Sequence, residues 1–286
     1  MTLAAPEPAP PPRRSRPTGL GLALPPLVLL LAVFVVPVAL LLARSVTEPE
    51  PGLANYRELL GTPAYLRIIL NTFLVAGLVT LVTTLLAFPV AWALAIMRPA
   101  WAQVVFGIVI LSMWTNLLAR TYAWMVLLQQ TGVINRALQA IGLTDEPLPL
   151  VNNLTGVTIG MVYIMLPFMI LPLYGAIKRI DPMILQAAAL CGATRGQALL
   201  RVLLPLALPG LASGGLMVFV MSLGYFVTPA LLGGTANMML AQMIAQQVQS
   251  LNNWGMGGAA AFVLLLATLS LYAAQLRLLG QPEVAR

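Results

Sequence analysis

The chain has 286 residues, 60% of them hydrophobic and only 8% charged. Soluble domains carry about 25% charged residues, so this composition excludes a water-exposed globule and identifies an integral membrane protein. The net charge is +7 with no histidine and one cysteine, Cys191, which excludes an internal disulfide and a Cys/His metal framework.

In chain order, residues 1–18 (MTLAAPEPAPPPRRSRPT) are proline-rich with a basic cluster and are predicted to be a disordered cytoplasmic tail. The apolar run from Leu20 to Ala43 is long enough to cross about 30 Å of hydrocarbon, and no small-residue cleavage site follows it. It is expected to stay as a first span. Further spans are predicted at about 69–97, 102–128, 154–177, 203–232 and 256–279. The fold class is therefore all-α, with six transmembrane helices making a single domain over 19–286. Pro89, Pro167, Pro172 and Pro229 fall inside or near these spans, where neighbouring helices can satisfy the freed backbone groups.

Orientation follows from the side on which lysine and arginine fall. With the N-terminus inside, the inner segments hold ten basic and three acidic residues, and the outer segments five of each. The whole +7 is then cytoplasmic, and both termini are expected there. The basic balance is thus a topology and lipid-surface signal rather than a nucleic-acid footprint.

The longest inner loop, about 178–204, contains QAAALCGATRGQALLRVLLP. Asp181 can cap free N–H groups and Pro182 suits a first helical position, so a short helix is predicted through Cys191. Gly192 suits a helix end with positive φ, and Thr194 can cap a second short helix. Physically this is an amphipathic hairpin on the inner surface, open to two uses: resting on anionic lipid, or docking its small alanine face into a partner's groove.

The spacing of Gln186-Ala187-Ala188, Gly192, Val202, Leu204 and Pro205 resembles the cytoplasmic EAA loop of ABC-transporter permeases (E-A-A, three residues, G, nine residues, I-x-L-P). The stretches MWTNLLARTYAWMVLLQQTGVIN (113–135), LPLYGAIKRIDP (171–182) and LGYFVTPALLGG (223–234) resemble the spermidine/putrescine-type permeases. The resemblance covers the chain from the third span onward and implies a type I ABC importer permease in a bacterial inner membrane. It implies that Gln186, Ala187, Ala188, Gly192, Thr194 and Arg195 dock on a cytoplasmic ATPase subunit, which binds the ATP. It also implies a second permease subunit, favouring a heterodimer, and an extracytoplasmic solute-binding protein. Gln186 stands where the family often has glutamate, so an ion pair to the ATPase would become a neutral hydrogen bond.

For the transport path, Arg120 sits near the outer end of the third span amid Trp114, Tyr122 and Trp124. It is either a snorkelling interface residue or part of an external gate. The Gly224…Pro229…Gly233-Gly234 pattern is expected to break the fifth span at Pro229, with Tyr225, Phe226 and Thr228 as candidate wall residues. Gly156/Gly160 and Gly210/Gly214 are expected to let helices approach closely. Segment 235–254 is expected to lie flat at the outer surface or dip into the pore mouth.

The sequence has no GxxxxGK[ST] phosphate loop and no nucleophile–base pair, so no enzyme site and no cofactor is expected in this chain. No acidic residue lies within a predicted span, which argues against an ion-coupled secondary carrier and for energy supplied by a partner. A carrier or channel that works alone, and a membrane assembly protein, are the competing classes.

Overall fold

A computed structural model describes residues 18–279, and among these every regular element is helical. The predicted tail, apart from Thr18, lies outside the described residues, and Thr18 opens the first helix. Four helices are long and apolar enough to cross a membrane alone: α1 (Thr18–Thr47), α3 (Pro63–Ile96), α7 (Leu154–Lys178) and α14 (Trp254–Leu279). A short helix, α2 (Ala54–Gly61), at the end of the bundle that the charge count assigns to the outer side, joins the first two. Two more crossings are bent, which brings the possible total to six.

The bends are where the structure departs from the spans expected at 102–128, taken as unbroken, and 203–232, expected to break only at Pro229. In the first, α4 (Pro99–Trp114) meets α5 (Leu117–Leu128) at 100°, and α6 (Val133–Ala140) continues the second arm. Thr115 is extended, and Asn116 Oδ1 accepts from the N–H groups of Leu118 at 2.9 Å and Ala119 at 3.2 Å. An asparagine cap restarts the helix in a new direction without glycine or proline. In the second, α8 (Pro182–Leu190) and α9 (Arg195–Ala198) form the inner hairpin. A π-turn over Leu199–Leu203 and the short α10 (Leu204–Leu206) then meet α11 (Leu208–Leu223) at 67°. Pro205 and Pro209 each lack an N–H, which favours a break between them.

The outer break of the fifth span also differs from expectation. The non-helical residues are Gly224–Phe226, and Pro229 sits in the first turn of α12 (Val227–Leu232). Proline is tolerated there because a first-turn N–H has no intrahelical acceptor. The span therefore ends at Leu223, and α12 is a separate element that packs on α5.

The core is the triangle of α3, α7 and α11. Met161, Met165, Met169 and Leu173 form an i, i+4 stripe on α7 and are fully buried, facing Val75, Val79 and Ala87 of α3 within one apolar cluster. Both glycine pairs serve close packing. A Cβ at Gly160 would lie 2.6 Å from Leu232 and 2.9 Å from Thr228, so this glycine seats α12 on α7. A Cβ at Gly214 would lie 2.7 Å from the Met169 sulfur, and one at Gly210 would collide with the Ala176 side chain. Outside the core, α13 (Leu240–Gln249) rests on α14 with Leu240, Met243 and Gln247 buried, so segment 235–254 is folded onto the bundle. The Leu240 N–H donates to Thr72 Oγ1 at 2.8 Å, which ties its start to α3.

Candidate coupling face and outer polar layer

At the inner end, the hairpin forms as its sequence dictates. Asp181 Oδ1 accepts from the Met183 N–H at 2.9 Å, Pro182 opens α8, and Gly192 closes it with φ +81°. The Gly192 N–H reaches the Ala189 carbonyl at 3.0 Å and the Ala193 N–H reaches that of Ala188 at 3.0 Å, which satisfies the last turn. Thr194 and Gln197 make a reciprocal capping box, with bonds of 3.3 and 2.9 Å, so α9 restarts two residues after Gly192.

This geometry sorts the predicted docking residues. Gln186, Ala187, Gly192, Thr194 and Arg195 are exposed, whereas Ala188 is half-buried. Leu185 also turns inward and lines a cavity of about 140 Å³ with Trp92, Ile177 and Leu203. Two residues that the motif did not single out complete the outward face. Met183 is 69% and Leu190 90% exposed, and with Ala187 they occupy i, i+4 and i+7 of one helix stripe. A leucine at the end of an alanine-rich helix is the signal that the spacing pattern passes over. Such a stripe is apolar surface without a partner among the described residues.

At the outer end, the bend after α4 carries α5 across the bundle, where it meets α12. Arg120, Tyr225 and Thr228 come together there, joined by Thr121, which the sequence did not single out. Thr121 and Thr228 are fully buried and their hydroxyls lie 3.3 Å apart. Arg120 Nη1 donates to the Ser112 carbonyl at 2.9 Å, so the guanidinium spans the bend. Its Nε is buried without an acceptor. Tyr225, half-buried, packs against the core cluster just before α12 begins.

The other predicted path residues do not join this cluster. Trp124 packs edge-on against Tyr163 of α7, with ring centroids 5.5 Å apart. Trp114 (85% exposed), Tyr122 and Phe226 face outward from the single chain. The predicted set thus divides into a polar layer, one aromatic pair and three outward aromatics.

With both ends described, the comparisons with known proteins are specific. Residues 18–280 match the family described as the binding-protein-dependent transport system inner membrane component. The spermidine/putrescine transport system permease protein PotB of Haemophilus influenzae is 35% identical over 205 residues, covering 72% of this chain and 71% of its own. The inner membrane ABC transporter permease protein YdcU of Escherichia coli is 40% identical over 251 residues, covering 82% of this chain and 78% of its own. Among solved structures, a chain of a bacterial alginate ABC transporter superposes with a TM-score of 0.73 at 20% identity, covering 92% of this chain and 95% of its own. The last likeness shows the fold, that of a type I importer permease.

Proposed function

The chain belongs to the binding-protein-dependent transport system inner membrane component family, and from that membership we propose that it forms half the membrane pathway of an ATP-driven importer for a polyamine-class cation. As a family member it is a transport subunit and not an enzyme. The observation that carries the docking part is the exposed Met183–Ala187–Leu190 stripe on α8, which fits insertion into a groove of a cytoplasmic ATPase. ATP binding and hydrolysis belong to that subunit. A second permease, most simply a different chain, completes the pathway, and an extracytoplasmic binding protein delivers the cargo.

The polyamine assignment is supported by the 35% identity to PotB. Holding a dication tightly inside the membrane calls for carboxylates or an aromatic cage. The outer layer offers the hydroxyls of Thr121 and Thr228, Tyr225 and the Arg120 guanidinium but no acid among its members, which does not suit tight storage of a dication. High-affinity selection then resides in the binding protein. The direct test is to purify the complex and measure putrescine and spermidine binding with and without the binding protein. Tight binding only in its presence, together with ATP-dependent uptake, is the expected result. Sub-micromolar binding by the permease complex alone would overturn this division of labour, and uptake of an anion would remove the polyamine assignment.

Two further expectations follow. Both termini are cytoplasmic, because that orientation puts the net +7 on the inner side. Reporter fusions at the C-terminus and within 140–150 should therefore report opposite sides, and same-side signals would refute the arrangement. Gly192 has open space around its missing Cβ, so substitution there tests backbone conformation and not packing. At φ +81°, Gly192→Val costs about 1–2 kcal/mol of strain, whereas Gly192→Asn tolerates the left-handed region. The valine variant should lower the ratio of uptake to ATP hydrolysed, with asparagine near wild type.

A further inference from the structure

Where α4 begins beside the last turns of α7, the two helices leave a cavity of about 280 Å³. Ala102 and Phe106 of α4 and Tyr174 of α7 wall it, and the two rings meet at 5.5 Å between centroids. Its polar groups are the Gln103 amide, the Tyr174 hydroxyl and the Lys178 ammonium. Lys178 Nζ donates to the Ala95 carbonyl at 3.4 Å, a long bond, and an ammonium has two donors to spare after it. Among the described residues no carboxylate lines the cavity, and the nearest acid in sequence, Asp181, has an oxygen committed to the Met183 N–H. Arg98 stands between two further lining residues, Met97 and Pro99. The cavity is therefore apolar over most of its wall and holds a cation without an anion.

Its depth is that of a lipid headgroup. The apolar helices α3 and α7 end at Ile96 and Lys178, and α4 starts at Pro99, on the side that the charge count assigns to the cytoplasm. Trp101, 63% exposed, is the kind of aromatic residue that settles at a membrane boundary. In addition, α4 has no buried residue, so its seat on α7 is incomplete within the described residues. We propose that this cavity holds an anionic phospholipid, its phosphate against Lys178 and an acyl chain along Ala102 and Phe106. Basic pockets between membrane helices on the cytoplasmic side suit anionic headgroups, whereas a choline headgroup would bring a second cation toward Lys178 and Arg98. Bound there, the lipid completes the seat of α4 and steadies the end of α7 from which the hairpin departs. This site is separate from the cargo path and does not depend on which solute is carried.

The test uses the full complex, with its partner permease and ATPase, stripped of lipid in detergent. It is titrated with phosphatidylglycerol or phosphatidylcholine of identical acyl chains, and native mass spectrometry counts the lipids retained. The wild type should keep one more phosphatidylglycerol than Lys178→Gln, whose affinity for that molecule should fall about fivefold. Phosphatidylcholine binding should be the same in both. Lys178→Arg keeps the charge and should bind as wild type does. Arg179→Gln removes the same charge one residue away, on the lining of a different cavity, and should change nothing. Ala102→Leu leaves every charge in place but takes up the space, and it should displace the lipid too. Equal weakening by Arg179→Gln and Lys178→Gln would mean diffuse surface charge, and would overturn the proposal. So would a glutamine or leucine variant that holds phosphatidylglycerol as tightly as wild type, or a wild type that prefers neither lipid. Glycerol phosphate that competes at the lipid's own concentration would overturn it in favour of a free anion.

Discussion

A Leu190→Asp variant is expected to insert normally yet lose its hold on the ATPase. Leu190 is 90% exposed at the end of α8, so the substitution removes little contact among the described residues and should leave the bundle's melting temperature nearly unchanged. In the docked state the same side chain would be buried. Full burial of a leucine is worth about 1.5–3 kcal/mol, and forcing a carboxylate into that place adds a desolvation penalty. Since about 1.4 kcal/mol is tenfold in affinity, the ATPase should bind at least about tenfold more weakly and ATP-dependent uptake should fall in step. Co-purification of the ATPase at graded detergent and salt measures the first effect, and uptake in vesicles the second. Full retention of the ATPase by this variant would exclude α8 as the docking element. Met183→Asp, about two turns earlier on the stripe, should behave alike, whereas Gln197→Ala should affect the hairpin only through its capping box.

Gly210→Leu should have the largest effect on the fold itself. A side chain there would meet Ala176 and the backbone of Pro172 and Leu173, with the Pro172 carbonyl oxygen 3.2 Å from the new Cβ. None of these atoms can rotate away, so α11 must move off α7, and the core triangle opens. Overpacking a core costs about 1–3 kcal/mol even where side chains can adjust. The purified variant should melt at least about 5 °C below wild type, or fail to survive extraction. Gly215→Ala is the matched control, because its Cβ would find only the Thr80 methyl, at 4.0 Å. Equal stability of the two variants would show that α11 and α7 do not meet at Gly210.

Much of this was legible in the sequence because membrane insertion is decided by local composition. Apolar runs of sufficient length must become helices, since lipid offers backbone groups no other partner. The apolar crossings and the glycine pairs follow from runs and spacings that a reader of the chain can count, and the charge count supports the proposed inner position of the long loop. The hairpin at 181–197 is equally local: Asp181, Gly192, Thr194 and Gln197 act on backbone atoms within four residues of themselves.

What the tertiary structure decided is direction and company. Nothing in SMWTNLLARTYAW marks a turn of 100°, because the apolar run continues through it and the device is a single asparagine side chain. Placing the outer break of the fifth span at Gly224–Phe226, ahead of Pro229, likewise depended on α12 finding a seat at Gly160, far away in sequence. Thr121 and Thr228, 107 positions apart, became one polar layer only because the bend at Asn116 and the break at Gly224–Phe226 brought α5 and α12 together. Periodicity records which side of a helix is apolar. It does not record which other helix lies against it, so the residues of the outer layer could be named from the sequence but assembled only by the fold.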